Sequence, residues 1–235
     1  MSEHGPTGGS ASGSALAERL AAVQGSVADA ARAAGREPNS VTTIVVTKFH
    51  PASLVAELSA LGVRDVGENR HQEAQAKAAE LSGLPLRWHF VGQLQSKKAK
   101  QVRAYADVIH SIDRPALLSA LASDESIVDC FLQVNLTDNA ERGGVAPAEL
   151  PALVEQTMAT SGLRLLGLMA VAPLGEEPRR AFARVRELSE SVRRIAPDAT
   201  ALSMGMSQDF AAAIAEGATH LRIGTAITGN RPQPG

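Results

Sequence analysis

The sequence lacks several features that characterise whole classes of protein. Aromatic residues make up only 3% of its 235 positions, cysteine occurs once, and the formal net charge is −2. A charge so near zero gives no electrostatic basis for binding nucleic acid or an anionic membrane. Because no apolar run is long enough to span a bilayer either, we expect neither a nucleic-acid-binding nor a membrane protein.

The single cysteine and the first residues bear on the cellular compartment. Cys130 stands alone in the apolar run "DCFLQVN", which is typical of a small buried hydrophobic residue. The opening "MSEHGPTGGSASGS" lacks the basic region and apolar core of a signal peptide. We therefore expect a cytoplasmic protein with a disordered tail over residues 1–13.

Familiar catalytic and metal-binding motifs are also missing. The six histidines show no HxxxH or HxH spacing, and no GxSxG, P-loop or GxGxxG motif occurs. We therefore expect no metal site. We expect His89 and His110 to lie at strand ends and to make ordinary hydrogen bonds.

Hydrophobic residues make up 44% of the chain, and their pattern alternates between strands and helices. The pattern predicts strands at 42–47, 64–67, 87–91, 107–111, 129–135, 163–168, 200–204 and 220–223. It predicts helices at 15–34, 52–61, 70–81, 96–105, 147–160, 177–195 and 208–216. Eight alternating strands favour a single α/β domain over 14–235, a (β/α)8 TIM-type barrel with an extra N-terminal helix, over an open doubly wound sheet.

A barrel of this kind carries its active site at the carboxyl ends of its strands. The first strand, in "TIVVTKFHP", ends on Lys48, either because strand ends reach water or because its amine reacts. An amine in a partly desolvated site attacks carbonyl groups. Lys48 could therefore act as in a Schiff-base aldolase, or it could hold the aldehyde of pyridoxal 5′-phosphate (PLP).

The last two strands end in residues suited to a phosphate group. In "SMGMSQDF", Ser207 is predicted to be the N-cap of the next helix, and "RIGTA" offers the amides of Gly224 and Thr225. The glycines could instead serve only tight turns. Arg222 precedes these groups, and its guanidinium, which only donates hydrogen bonds, would leave a pyridine nitrogen facing it unprotonated.

These segments resemble those of the pyridoxal phosphate homeostasis proteins. The resemblance rests on "VVTKFHP", "VGENRHQEAQAKAAEL", "WHFVGQLQSKK", "VIHSID", "GLMAVAP", "LSMGMSQDFAAAIAEGAT" and "LRIGTAITG". It implies a single barrel of PLP fold type III, related to the N-terminal domain of alanine racemase, without that enzyme's second β domain. It also implies that the protein stores or delivers PLP inside the cell, without robust catalysis, possible recipients being apo forms of PLP-dependent enzymes.

By position, the resemblance assigns a role to each rim residue. Lys48 would hold PLP as an imine, and Asn69 would lie beside it. Arg222 would face the ring nitrogen. The phosphate contacts would be Ser207, Gly224 and Thr225. Two departures concern Lys97-Lys98, where many members have Asn-Lys, and "ERGGV", where Arg142 stands near a usual lysine.

An amino-acid racemase is the alternative function. Racemisation needs bases on both faces of the substrate, and the single tyrosine of the chain, Tyr105, is predicted to be structural. An aldolase would need an acid beside Lys48, for which Glu68 is the nearest candidate. The alanine racemase dimer needs that enzyme's second β domain, which the resemblance does not include. We therefore expect a monomer.

Overall fold

The computed structural model describes residues 10–139 and 142–230. Eight parallel strands form a closed barrel in which each strand pairs with the next along the chain and β8 pairs with β1. The strands are β1 Thr42–Val46, β2 Asp65–Glu68, β3 Arg87–Phe90, β4 Val108–Ile112, β5 Val128–Gln133, β6 Leu163–Met169, β7 Ala201–Ser203 and β8 His220–Ile223. The predicted barrel is thus confirmed, with every predicted strand overlapping an observed one.

Helices connect the strands on the outside of the barrel. They are α1 Ser10–Ala33, α2 Ala52–Ala60, α3 His71–Glu80, α4 Ala99–Arg103, α5 Pro115–Leu121, α6 Leu150–Met158, α7 Pro178–Val192, α8 Phe210–Ala215 and α9 Thr225–Thr228. Helix α1 begins inside the segment predicted as a tail, and residues 1–9 of that segment lie outside the described residues. Within the described residues, no helix combines the length and apolar character needed to cross a membrane.

Side chains alternate between the barrel interior and the layer under the helices. Ile44 and Val46 point inward, where they flank Gly67 of the neighbouring strand. Val45 points outward into the large apolar core between the sheet and the helices. Ile44 pairs with Arg222 in register, so Arg222 also faces the interior. This alternation decides which rim residues can meet.

The extra helix α1 covers the place where the barrel closes. Its apolar stripe includes Leu16, Leu20 and Val27, all buried, as the helical spacing in the sequence predicts. Arg19 Nε donates a hydrogen bond to the carbonyl of Ile227 at 2.7 Å. The helix packs against α8 and α9, the helices before and after the last strand of the barrel.

Candidate functional site

All six residues that are predicted from the sequence to bind a cofactor lie along one part of the rim formed by the carboxyl ends of the strands. This part, which we call the rim arc, is formed by β7, β8, β1 and β2, four strands that are consecutive around the closed sheet. Its members are Ser207 after β7, Arg222, Gly224 and Thr225 on and after β8, Lys48 after β1, and Asn69 after β2. The fold therefore brings together residues from both ends of the chain.

Lys48 lies two residues beyond Val46, where β1 ends, and its side chain is exposed. Because Lys48 stands in the loop above the last strand residue, its side chain is open to water rather than partly desolvated. The next residue, Phe49, adopts a left-handed backbone with φ of 69°. The Phe49 N–H donates to Glu73 Oε2 at 3.1 Å, which fixes the turn directly after the lysine.

A buried polar cluster supports this loop from the helix side. Glu68 Oε1 accepts hydrogen bonds from Thr47 Oγ1 and Lys77 Nζ, each at 2.6 Å. Lys77 Nζ also donates to the Thr47 carbonyl at 3.0 Å. Burial raises the pKa of the Glu68 carboxyl, and its second oxygen, Oε2, has no hydrogen-bond partner among the described residues. Because Glu68 faces Lys77 on α3, the aldolase alternative loses the acid that the sequence suggested.

Asn69 is positioned by a close approach of two backbones. Gly92, in the loop after β3, lies so near that a Cβ atom on it would stand 2.1 Å from the Asn69 carbonyl oxygen. Any side chain at position 92 would displace the Asn69 backbone. The glycine in "VGQ" thus serves to seat Asn69 at the rim.

The loops after β7 and β8 differ in one respect from the sequence prediction. The N-cap position of α8 is Asp209, not Ser207, because the helix begins at Phe210 and Ser207 lies in the preceding turn. Asp209 Oδ1 accepts a hydrogen bond from the Met206 N–H at 2.6 Å and so fixes that turn. After β8, Gly224 precedes the one-turn helix α9, whose first residue is the exposed Thr225.

Arg222 is a buried cation held on three oxygens. Its Nη1 donates to the carbonyl and to Oγ of Ser203, each at 2.7 Å, and its Nη2 donates to the Ala170 carbonyl at 2.9 Å. Its side chain is almost entirely enclosed, with 6% exposed. Burial lowers the pKa of Arg222 to about 10, so the guanidinium is still charged at neutral pH.

The two histidines predicted at strand ends lie instead inside the barrel, and that prediction is wrong. His89 and His110 occupy interior positions in the middle of β3 and β4 and hydrogen-bond to each other, Nδ1 to Nε2, at 2.9 Å. Phe131 stacks on His110 with ring centroids 4.5 Å apart. Spacing along the chain gave no signal for this pair, because its hydrogen bond joins two different strands inside the barrel.

The other residues singled out in the sequence lie off the rim arc. The Tyr105 ring stacks on His71, with its hydroxyl 3.5 Å from Nδ1, and packs against the outer core. Lys97 and Lys98 form a short 3-10 helix after β3. Arg142 lines a cavity of about 160 Å³ at the carboxyl ends of β5 and β6.

Comparison with known protein families and relatives agrees with the fold. The model of the family "Alanine racemase, N-terminal domain" matches residues 19–232. A pyridoxal phosphate homeostasis protein from Pseudomonas aeruginosa is 44% identical over 225 residues, which cover 93% of this chain and 96% of that protein.

Solved structures give the same result. PipY of Synechococcus elongatus, solved with PLP bound, superimposes with a TM-score of 0.79 at 40% identity, covering 91% of this chain and all of that one. An alanine racemase from Corynebacterium glutamicum superimposes with a TM-score of 0.69 at 15% identity over 92% of this chain and 60% of that enzyme. At that identity the racemase shares the fold alone.

Proposed function

Because the chain belongs to the pyridoxal phosphate homeostasis protein family, we propose that it binds PLP at the rim arc and serves intracellular PLP homeostasis. PipY, a relative by structure, holds PLP, and the curated relatives are named for homeostasis of this cofactor. The proposal adds that Lys48 is the attachment point and that catalysis is weak or absent.

One observation carries the assignment of the site. Strands β1 and β8 pair in parallel with Ile44 opposite Arg222, so Lys48 stands above the same seam as Arg222 and Gly224. An amine, a cation and backbone amides thus occur on two neighbouring strands and the loops that follow them.

The chemistry of these residues fits three groups of PLP: the aldehyde, the phosphate and the ring nitrogen. The Lys48 amine suits the aldehyde, and the amides and hydroxyls of Ser207, Gly224 and Thr225 suit the phosphate. Arg222 suits the ring nitrogen because its guanidinium donates hydrogen bonds and accepts none, so it would pair with an unprotonated nitrogen. A ring held in this way is a weak electron sink, which favours storage of PLP over catalysis.

When PLP is bound, Lys48 would hold it through its amine, which would bond to the aldehyde carbon while the aldehyde oxygen leaves as water. Because Lys48 is exposed, water or an incoming amine could reach the imine and reverse it, which would allow PLP to be released or transferred. The turn at Phe49 and the cluster around Thr47 hold the lysine backbone, while its side chain is exposed.

The first prediction concerns Lys48. Purified protein incubated with PLP should develop the visible absorption band of an imine, and Lys48→Ala should lose it. Lys97→Ala is the matched control, since it removes an exposed lysine from another loop at the same end of the barrel and should keep the band. Borohydride reduction followed by peptide mass analysis should place the adduct on Lys48.

Two results would contradict parts of the proposal. An adduct on another lysine in the Lys48→Ala protein would move the attachment point. Robust interconversion of D- and L-alanine by the wild type would establish a racemase and refute weak catalysis. A racemase would also need a second base, and Tyr105 is engaged with His71 on the outer side of the sheet.

We also propose, from the sequence, a single PLP-binding domain over 14–235, a monomeric state and a cytoplasmic location. The location is supported by the lone Cys130, which is fully buried within the core. Apo enzymes that use PLP are the proposed recipients of the cofactor.

A further inference from the structure

A chain of hydrogen bonds crosses the barrel interior from Arg222 to the amino-terminal end of the strands. We call it the barrel relay, and its members in order are Arg222, Ser203, His110, His89 and Asp65. The first link is 2.7 Å long and each of the other three is 2.9 Å. The three central residues have at most 1% of their surface exposed, so the links are shielded from water.

The direction of every link follows from the chemistry of the two ends. Arg222 can only donate, so Ser203 Oγ accepts from it and has its own hydrogen available for His110 Nδ1. His110 then carries its hydrogen on Nε2 and donates to His89 Nδ1. His89 in turn carries its hydrogen on Nε2 and donates to the Asp65 carboxylate.

Starting from Asp65 leads to the same arrangement. An ionised carboxylate only accepts, so His89 must donate from Nε2. Burial lowers the pKa of both His89 and His110, so each histidine is neutral and carries one ring hydrogen. With one hydrogen each, both rings can satisfy both neighbours only as Nε2–H tautomers.

The relay links Arg222 to a second carboxylate besides Asp209. The oxygens that Arg222 contacts belong to Ser203 and Ala170 and are neutral, and the charge of Asp209 acts to raise the pKa of Arg222 against the effect of burial. Every hydrogen in the relay points away from Arg222 and towards the carboxylate of Asp65. The aligned bonds therefore connect a cation at one end of the barrel to an anion at the other.

Asp65 is suited to be the charged end. Its side chain is 23% exposed and borders a cavity of about 450 Å³ between α1 and the amino ends of β1 and β2. Burial acts to raise the pKa of Asp65, but the hydrogen bond from His89 and the positive charge of Arg87 help to make the net shift downward. Asp65 is therefore ionised at neutral pH.

Other charged groups lie near the relay and act on it through space: Asp209 on Arg222, Asp107 on His89, and Arg87 on both histidines. Asp129 forms ion pairs with Arg87 and Arg164. His220 bonds to Thr219. Asp209 fixes the turn after β7. Asp107 accepts from the Trp88 N–H.

We propose that the barrel relay positions Arg222 against the ring nitrogen of PLP, so that Asp65, at the far end of the barrel, acts on cofactor retention. This inference rests on the proposed function, because it needs PLP at the rim arc. The four residues beyond Arg222 are positioning residues, since none of them touches the cofactor.

The first test needs no cofactor. Nitrogen-15 NMR of the histidine side chains in labelled, PLP-free protein at pH 7.5 should show both His89 and His110 as Nε2–H tautomers. His89→Gln and His110→Gln variants identify the two signals. A hydrogen on Nδ1 of either ring would overturn the inference, because the links could not then run in one direction.

The second test measures PLP binding by the visible band. Ser203→Ala cuts the relay while leaving the backbone contact of Arg222, and Asp65→Asn removes the terminal charge. Each should weaken PLP retention about tenfold, the effect of losing one hydrogen bond to a charged group, and should shift the pH profile of the band. Ser203→Thr keeps the hydroxyl and should restore wild-type behaviour.

Asp107→Asn is the matched charge control. It removes a negative charge that acts on His89 only through space, at the same end of the barrel and with no hydrogen bond to the relay, and it should bind PLP like the wild type. A wild-type band with the same retention and pH profile in Ser203→Ala and Asp65→Asn would overturn this inference alone. Absence of the band from the wild type would instead overturn the proposed function and this inference with it.

Discussion

At the scale of single residues, Phe49 has a backbone conformation that side chains with a Cβ atom usually avoid. Its φ of 69° follows directly after Lys48, and Arg70 lies over its ring at 4.9 Å from the centroid. Left-handed residues other than glycine concentrate at binding sites, where the surroundings hold them in place. The turn therefore serves to orient the lysine.

Phe49→Gly and Phe49→Ala both remove the ring, but only glycine adopts this conformation without a steric cost. The glycine variant should therefore have a free energy of unfolding about 1 kcal/mol higher than the alanine variant. Urea denaturation of the pair measures the difference. If alanine were equally or more stable, the conformation at position 49 would carry no strain.

Single residues also show how far the sequence alone could lead. The location of Lys48 and Arg222 near the carboxyl ends of β1 and β8 was predictable, because strand ends are recognisable in the sequence and parallel strands end at the same rim. The barrel relay was not, because the link from His110 to Ser203 joins β4 to β7 across the interior. Spacing along the chain carries no signal for such a contact, and the exposure of Lys48 likewise depends on the loop geometry.

At the scale of elements, all eight strands were predictable, since their apolar runs are bounded by Gly, Asp, Ser or Pro. Helices α5 and α9 were not predicted. Helix α5, "PALLSAL", is short and lacks a clear polar face, and α9 has a single turn directly after Gly224. Amphipathic periodicity needs longer segments than these to be recognised.

Strand β6 contains a glycine on which its pairing with β7 depends. Gly167 pairs with Ala201, and a Cβ atom on Gly167 would stand 1.8 Å from the Ala201 carbonyl oxygen. Gly167→Ala should lower the free energy of unfolding by about 3 kcal/mol, because the strands must separate to accept the methyl group. Chemical denaturation measures the loss.

Gly25→Ala is the control for that substitution. Gly25 lies in the middle of α1 with open space around its Cβ position, so alanine should raise stability by up to about 1 kcal/mol through helix propensity. Equal effects of the two substitutions on the free energy of unfolding would mean that the close approach between β6 and β7 does not exclude a side chain at position 167.

At the scale of the whole molecule, buried histidines make stability depend on pH. Burial lowers the pKa of His89, His110 and His220, the last to about 4. The unfolded chain takes up these protons near pH 6.5, whereas the folded protein resists them. The stabilisation is therefore complete above pH 6.5 and is lost as the pH falls towards 4.

Urea denaturation at pH 7.5, 6.5, 5.5 and 4.5 should reveal this loss. Each buried histidine adds a slope of up to about 1.4 kcal/mol per pH unit below pH 6.5. Glu68 acts in the opposite sense, since its raised pKa favours the folded state at low pH and so reduces the slope.

His220→Gln keeps a polar side chain but removes one titrating ring, so its slope should be smaller than that of the wild type. Identical slopes would show that His220 is protonated as readily in the folded protein as in the unfolded chain. A stability that does not change between pH 7.5 and 5.5 would contradict the prediction for all three histidines.

The closure of the barrel between β1 and β8 also determines when the cofactor site comes into being. During synthesis on the ribosome, Lys48 emerges early, but β8, which carries Arg222, emerges last of the eight strands, followed by Gly224. Contacts between segments so distant along a chain form late in folding. If PLP binds as proposed, a nascent chain would present Lys48 without the other proposed contacts, and retention of PLP would mark a barrel whose synthesis and closure are finished.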